Sequence, residues 1–301
     1  MKSMPRIAIP MPHSTDRKYG ERAIPQYERA VEQAGGEPVR IPLDQTPAQV
    51  RKIIEHCDAV LLPGSNADVD PARFNAPLSP HTAAADPRRD AVDDLLLDDA
   101  YARRKPVLGI CYGLQSLNVY RKGSLIQHIP DFLPEATRGK VNHEAGKKVA
   151  IAHTVDIDEN SLLAGIVRGN GPCGDGRIRP AGRAKPGGTL ERNPTASREG
   201  HGFRRADQSQ ERTGALAAGG AAFVIPVNSS HHQSADSVGA GLRIVARCPD
   251  DGIIEALEGT SPDHFVLAVQ WHPERSVNQD EPSRAIFHAL VQAAEDRLRK
   301  L

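Results

Sequence analysis

Short apolar runs alternate with helical stripes along the first 120 residues. Arg6-Ile7-Ala8-Ile9-Pro10 reads as a strand, and a helix is expected from about Pro25, with Tyr27, Ala30, Val31 and Ala34 on one face and Gly35-Gly36 ending it. Val39 to Leu43 alternates like a second strand. Thr46-Pro47 then opens a helix, with threonine at the cap, proline in the first turn, and Val50, Ile53 and Ile54 as its apolar stripe. Asp58 to Leu62 is a nearly all-apolar third strand that ends in the turn Pro63-Gly64-Ser65-Asn66. Arg89 to Tyr101 carries Val92, Leu95, Leu96 and Leu97 at helical spacing, and Val107 to Ile110 follows as a fourth strand. Strands that are apolar throughout and alternate with helices predict a parallel sheet covered on both faces, hence an α/β fold.

Beyond Lys148 the segments shorten. Val149–Ala152, Val155–Ile157, Leu242–Ala246 and Ile253–Glu258 are expected as half-exposed strands. Phe265–Gln270 is a further apolar strand that runs into Trp271-His272-Pro273-Glu274. A last helix from about Ser283 turns Ile286, Phe287, Leu290 and Val291 inward.

Arg168 to Ala222 breaks this plan. It holds 12 of the chain's 26 glycines and ten Arg or Lys against five Asp or Glu, a local charge of +5, with no helical or strand period. Such a composition does not offset the entropy of ordering, so the segment is expected to be a mobile insertion in one 1–301 domain. Reading it as an RNA-binding arm lacks support, because only Phe203 interleaves its charges.

Composition narrows the function. The 38 basic and 38 acidic residues of this 301-residue chain cancel, so no global field draws nucleic acid or an anionic membrane. No apolar run approaches the roughly 20 residues of a membrane span, and no signal peptide is legible, so a cytoplasmic location is expected. The cysteines Cys57, Cys111, Cys173 and Cys248 show no close spacing and read as free thiols.

One of them has a special setting. Cys111 lies between Gly109 and Gly113, where a strand turns sharply into a helix. Glycine on both sides relieves the crowding at such a corner and leaves the central side chain above the sheet edge, the geometry of a nucleophile elbow. A buried structural cysteine is the plainer alternative. A thiolate nucleophile needs a base, and His272 follows an apolar strand directly, with Glu274 two residues on to orient it. Backbone donors for an oxyanion are available at Gly64 and Ser65 and at Tyr112, which follows the cysteine. Asn228, Ser229, His231, His232 and Gln233 are dense in hydrogen-bonding groups. Arg89 is suited to a carboxylate.

These stretches, taken together, resemble the class I glutamine amidotransferase-like hydrolases of the γ-glutamyl-γ-aminobutyrate hydrolase type, peptidase family C26. The matching residues are Pro25-Gln26-Tyr27, Leu62-Pro63-Gly64-Ser65 with Asp68-Val69-Asp70-Pro71, Arg89-Asp90, Gly109-Ile110-Cys111-Tyr112-Gly113-Leu114-Gln115, Val227–Gln233, Asp251–Ala256 and Val269–Glu274. The resemblance implies a flavodoxin-like three-layer α/β/α sandwich, a Cys111–His272–Glu274 triad, no cofactor and no metal. It also implies hydrolysis of a small γ-glutamyl amide of the kind met in polyamine catabolism, with Gln115 joining the substrate-binding residues. The partner it implies is that small-molecule substrate, with neither nucleic acid nor membrane; a homodimer is left open. The chain departs from the pattern at Tyr112, where arginine is common, at His128, where aspartate is common, and at Tyr120-Arg121-Lys122-Gly123, where small residues are usual. Tyr112 is expected to face the cleft and bear on substrate choice. Two other readings compete: a glutaminase subunit passing ammonia to a separate synthetase, and a non-catalytic protein that kept the fold.

Overall fold

The computed structural model describes residues 4–169 and 223–301. The expected insertion therefore lies, apart from Arg168 and Gly169, outside the described residues, as does Cys173.

The amino-terminal half winds as β1 (Arg6–Pro10), α1 (Arg17–Gln33), β2 (Glu37–Ile41), α2 (Pro47–Ile54), β3 (Ala59–Leu62), α3 (Pro87–Arg103), β4 (Val107–Ile110) and α4 (Tyr112–Tyr120). Then follow β5 (Leu125–Ile126), α5 (Ile129–Phe132), β6 (His153–Ile157), α6 (Leu162–Val167), β7 (Phe223–Val227), β8 (Ser234–Ala235), β9 (Leu242–Arg247), β10 (Ile254–Gly259), β11 (Val266–Val269) and α7 (Glu281–Leu298). Nine strands form one sheet in the order β2-β1-β3-β4-β11-β10-β9-β6-β7, and β5 pairs with β8 apart from it. The first five pair in parallel and the remaining pairs are antiparallel.

The period of two along the parallel strands sorts their side chains into two cores. Ile7, Ile9, Leu61, Leu108, Ile110, Leu267 and Val269 pack with α1, α6 and α7 on one face. Ala8, Val60, Leu62, Val107 and Ala268 pack with α2, α3 and α4 on the other. The result is the expected three-layer α/β architecture. Burial on this scale is the main stabilising term, at about 1.5–3 kcal/mol for each large apolar side chain.

The Thr46 cap holds as expected. Its side chain accepts from the Gln49 N–H while the Gln49 side chain reaches back to the cap, a full capping box. Three expectations need correction. The first helix begins at Arg17, capped by Asp16, and carries Pro25 inside it, so a proline read as a start is an interior residue that removes one backbone donor. Val149–Ala152 is irregular, and the strand there begins at His153. Ile254–Glu258 is buried rather than half exposed, because β10 lies between β11 and β9 inside the sheet. A strand without a counterpart in the sequence reading is Phe223–Val227, where Pro226 is tolerated because β7 is at the sheet edge.

Candidate active site

Three adjacent parallel strands, β3, β4 and β11, end at one place. Their carboxyl ends deliver Gly64-Ser65, Cys111 and His272, and open α/β sheets bind ligands at such ends.

Cys111 occupies a corner that few side chains adopt. Its backbone has φ 53° and ψ −104°, and its N–H is held by the Val269 carbonyl at 2.8 Å. It sits at the amino-terminal cap of α4, where the helix dipole favours a negative charge. The flanking glycines are required by close approach. A Cβ on Gly113 would lie 2.2 Å from the Leu62 carbonyl oxygen, and one on Gly109 would lie 2.8 Å from the Gly113 backbone. The turn can therefore pack against β3 only without side chains at those positions.

His272 is buried and its Nδ1 lies 2.7 Å from Glu274 Oε1. Burial disfavours its charged form, but the Glu274 carboxylate and the Cys111 sulfur together outweigh this and raise its pKa to about 9. Burial pushes the Glu274 carboxyl up, but His272 opposes this, and the net shift is downward. The pair thus favours imidazolium beside carboxylate, in the cleft that Cys111 also lines. Gly64 closes the gap between them: a Cβ there would come 3.0 Å from His272 Cε1 and 3.6 Å from Cys111 Cβ.

The Gly64 N–H donates to Tyr27 Oη at 3.0 Å. It is therefore committed to Tyr27, which corrects the expectation that Gly64 donates to an oxyanion. Behind the turn, Arg89 is fully buried, with Nη2 donating to the Pro63 carbonyl at 2.8 Å, Nη1 to Pro12 and Nε to Asp93 at 2.7 Å. The expected contact of Arg89 with a substrate carboxylate is corrected: its fork is spent on the backbone that shapes the Gly64-Ser65 turn. Tyr112 is corrected likewise. Its ring stacks under the Arg89 guanidinium at 4.8 Å and its hydroxyl donates to Asp90 at 2.6 Å, so its side chain is turned away from the cleft.

The cleft encloses about 690 Å³ and is lined by Cys111, His272, Ser65, Gln115, Ser230, His231, His232 and Gln233 among the residues singled out from the sequence or their neighbours. Gln115 Nε2 donates to the Gln233 carbonyl at 3.2 Å, and His232 Nε2 lies 3.0 Å from Asp68. Two members of the 228–233 stretch stand behind the cleft instead. Asn228 binds the His272 backbone, and Ser229 is fully buried with its hydroxyl donating to Glu255 at 3.4 Å. His231 reaches the cleft wall but its Nδ1 is held by the Gln233 carbonyl at 2.8 Å and its Nε2 faces Glu255.

Sequence reasoning gave no role to Asp16, Lys18, Tyr19, Arg22, Glu144, Lys147 and Arg275, which also line the cleft. The first four come from the start of α1, which the early proline concealed. Arg275 adjoins the His-Pro-Glu triplet and was the one signal available. The departures at Tyr120 to Gly123 lie at the far end of α4 from Cys111, where Tyr120 binds Asp98 and Arg121 stacks on Tyr101. His128 caps α5 and stacks on His81 at 4.2 Å.

A cysteine elbow facing a histidine–glutamate pair, on adjacent strand ends of this sheet, defines a glutamine amidotransferase-like hydrolase. The chain belongs to the peptidase C26 family, whose model matches residues 7–172 and 189–274. It is 27% identical over 276 residues to a gamma-glutamyl-gamma-aminobutyrate hydrolase of Escherichia coli O157:H7, covering 91% of this chain and 86% of that one. It is 28% identical over 276 residues to a glutamine amidotransferase-like protein of Rickettsia prowazekii, covering 89% and 88%. In fold it is similar to the CTPS glutaminase domain of Trypanosoma brucei, with a TM-score of 0.53 at 15% identity over 97% of this chain and 94% of that one. Among the described residues, no helix is long and apolar enough to cross a membrane.

Proposed function

We propose that this protein hydrolyses the γ-glutamyl amide bond of a small γ-glutamyl-amine, such as γ-glutamyl-γ-aminobutyrate, through a Cys111–His272–Glu274 triad. The observation that carries the reading is the position of Cys111, at a positive-φ corner in the same cleft as an imidazole that Glu274 holds at 2.7 Å. The Cys111 thiolate attacks the γ-carbonyl and the C–N bond breaks as His272 gives its proton to the leaving amine. Water, deprotonated by His272, then attacks the glutamyl thioester and releases glutamate and the free thiol. The tetrahedral oxyanion is met by the Ser65 and Tyr112 amides.

The cleft suits the glutamyl end. An α-carboxylate and an α-ammonium on one carbon need cations and anions close together, and the lining offers Lys18, Arg22, Lys147 and Arg275 alongside Asp16, Asp68 and Glu144. Gln115 and Gln233 supply neutral partners, and His232, whose pKa its hydrogen bond to Asp68 raises, adds a proton donor. With the α-carbon anchored there, the γ-carbonyl reaches the cysteine and an α-carbonyl does not. A panel of γ-glutamyl amides, with glutamate release as readout and γ-Glu and α-Glu p-nitroanilides compared directly, tests this. Cleavage confined to the γ-linked compounds supports the reading, and equal rates on both linkages overturn it.

A further inference from the structure

We propose that His143, His153, His231 and Glu255 form a buried binding site for one tetrahedral divalent transition metal of the zinc class. Two strands and two loop segments bring them together. Glu255 is on β10, His153 begins β6, His231 lies in the segment before β8, and His143 precedes a short turn of 3₁₀ helix. All four are buried, and their ligating atoms lie within 4.8 Å of one another.

The protonation pattern carries the argument. A carbonyl or a carboxylate only accepts, so the ring nitrogen beside it bears the proton. His153 Nδ1 faces the Thr154 carbonyl at 2.9 Å, His231 Nδ1 faces the Gln233 carbonyl at 2.8 Å, and His143 Nε2 faces Asp251 at 2.8 Å. In each neutral ring the other nitrogen then carries a lone pair. Those three nitrogens surround one atom, Glu255 Oε1, at 3.0 Å for His143, 3.4 Å for His153 and 3.3 Å for His231. None of these four buried atoms has a hydrogen-bond partner. Lone-pair nitrogens gathered around a carboxylate in a dry interior need a cation among them. A proton on His143, which stands between two carboxylates, satisfies one of the three approaches and leaves the other two.

The dimensions fit a metal. Four ligands at 2.0–2.1 Å around a tetrahedral ion stand about 3.3 Å apart, the spacing seen from Glu255 to the histidines. Ring nitrogens outnumber oxygens, which disfavours calcium and magnesium. The outer contacts to Thr154, Gln233 and Asp251 are those that orient metal-ligating histidines. Cys248 falls in a separate group with His143 and Asp251 and is not among the residues gathered around Glu255. An ion here would tie the 228–233 segment, which both holds His272 and lines the cleft, to the sheet. The site stands apart from the reaction proposed above.

The test uses the full-length protein. After zinc-supplemented expression and gel filtration in the presence of a weak chelator, about one zinc per chain is expected by elemental analysis. Zinc returned to protein stripped with a strong chelator should raise Tm by several degrees, and cobalt should give the intense visible bands of a tetrahedral nitrogen-and-oxygen site. Cys111→Ala should keep the metal, and His153→Asn or Glu255→Gln should lose it. No bound metal and no zinc-dependent Tm overturns the proposal. So does an unchanged stoichiometry in both His153→Asn and Glu255→Gln, or a cobalt spectrum that is octahedral or shows thiolate charge transfer. Should those variants fail to fold, the cobalt spectrum of the unaltered chain decides alone.

Discussion

Asn228 grips the backbone of His272 from both sides: its Nδ2 donates to the His272 carbonyl at 2.9 Å, and its Oδ1 accepts the His272 N–H at 2.9 Å. A side chain expected in the substrate pocket instead fixes where the imidazole stands. Replacing Asn228 with alanine leaves two buried backbone groups unpaired and lets the ring shift. Displacements of about 1 Å cost roughly 100-fold in rate. Asn228→Ala should therefore lower kcat by about that factor with KM within a few-fold of normal. Steady-state kinetics on a γ-glutamyl amide check it, and a rise in KM at unchanged kcat would restore the substrate-contact reading.

Arg89 gives a second, opposite expectation. Its guanidinium and Asp93 are both fully buried and paired at 2.7 Å. Arg89→Met strands the Asp93 carboxylate and removes the donors to Pro63 and Pro12. Breaking one side of a buried pair costs about 3–5 kcal/mol, and denaturant titration should show a loss of that size. Unaltered stability with weakened substrate binding would return Arg89 to the cleft.

The pH dependence follows from His272. Its pKa is raised from the ordinary 6.5 to about 9, so the proton is held at neutral pH and given up as pH rises through that value. Its contribution to stability is fully present below about 6.5 and is lost as pH climbs toward 9. The same proton is the one the leaving amine needs, so the alkaline limb of kcat/KM should fall near pH 9. Glu274→Gln removes the carboxylate that sustains the shift, and the limb should move toward neutrality. A limb at an unchanged position in Glu274→Gln would show that the carboxylate does not act on this histidine.

Much of this was legible along the chain. The apolar runs at Arg6–Pro10, Asp58–Leu62 and Val107–Ile110 became β1, β3 and β4 because parallel strands buried on both faces leave a continuous signal. The elbow at Cys111 was legible through its glycines, since contact with Leu62 leaves no room for a side chain. What sequence could not supply was direction. Tyr112, Arg89, Asn228 and Ser229 all adjoin the cleft in the chain, and all turn their side chains behind it to support Gly64, His272 or Glu255. Polar residues near a site serve its framework as readily as its ligand, and only packing separates the two. The start of α1 was hidden because Pro25 interrupts the helical pattern that Arg17 opens.

Gly113 offers a test of the elbow that does not involve catalysis. With the Leu62 carbonyl oxygen 2.2 Å from where a Cβ would sit, Gly113→Ala must push α4 from β3. Overpacking of this kind costs about 1–3 kcal/mol or more. Thermal unfolding should show a clear drop in Tm for Gly113→Ala, whereas Cys111→Ser should unfold close to the unaltered chain. An undisturbed Tm in Gly113→Ala would mean that the strand-to-helix corner is looser than drawn.

The central claim is that Cys111 is the nucleophile, and the most direct measurement is glutamate release from a γ-glutamyl amide by the unaltered chain and by Cys111→Ala at matched folded concentration. Residues that act as a unit lose most of their effect with the first deletion, so turnover should fall by roughly 10⁴-fold or more while Cys57→Ala and Cys248→Ala remain active. Turnover by Cys111→Ala within tenfold of the unaltered chain would contradict the account.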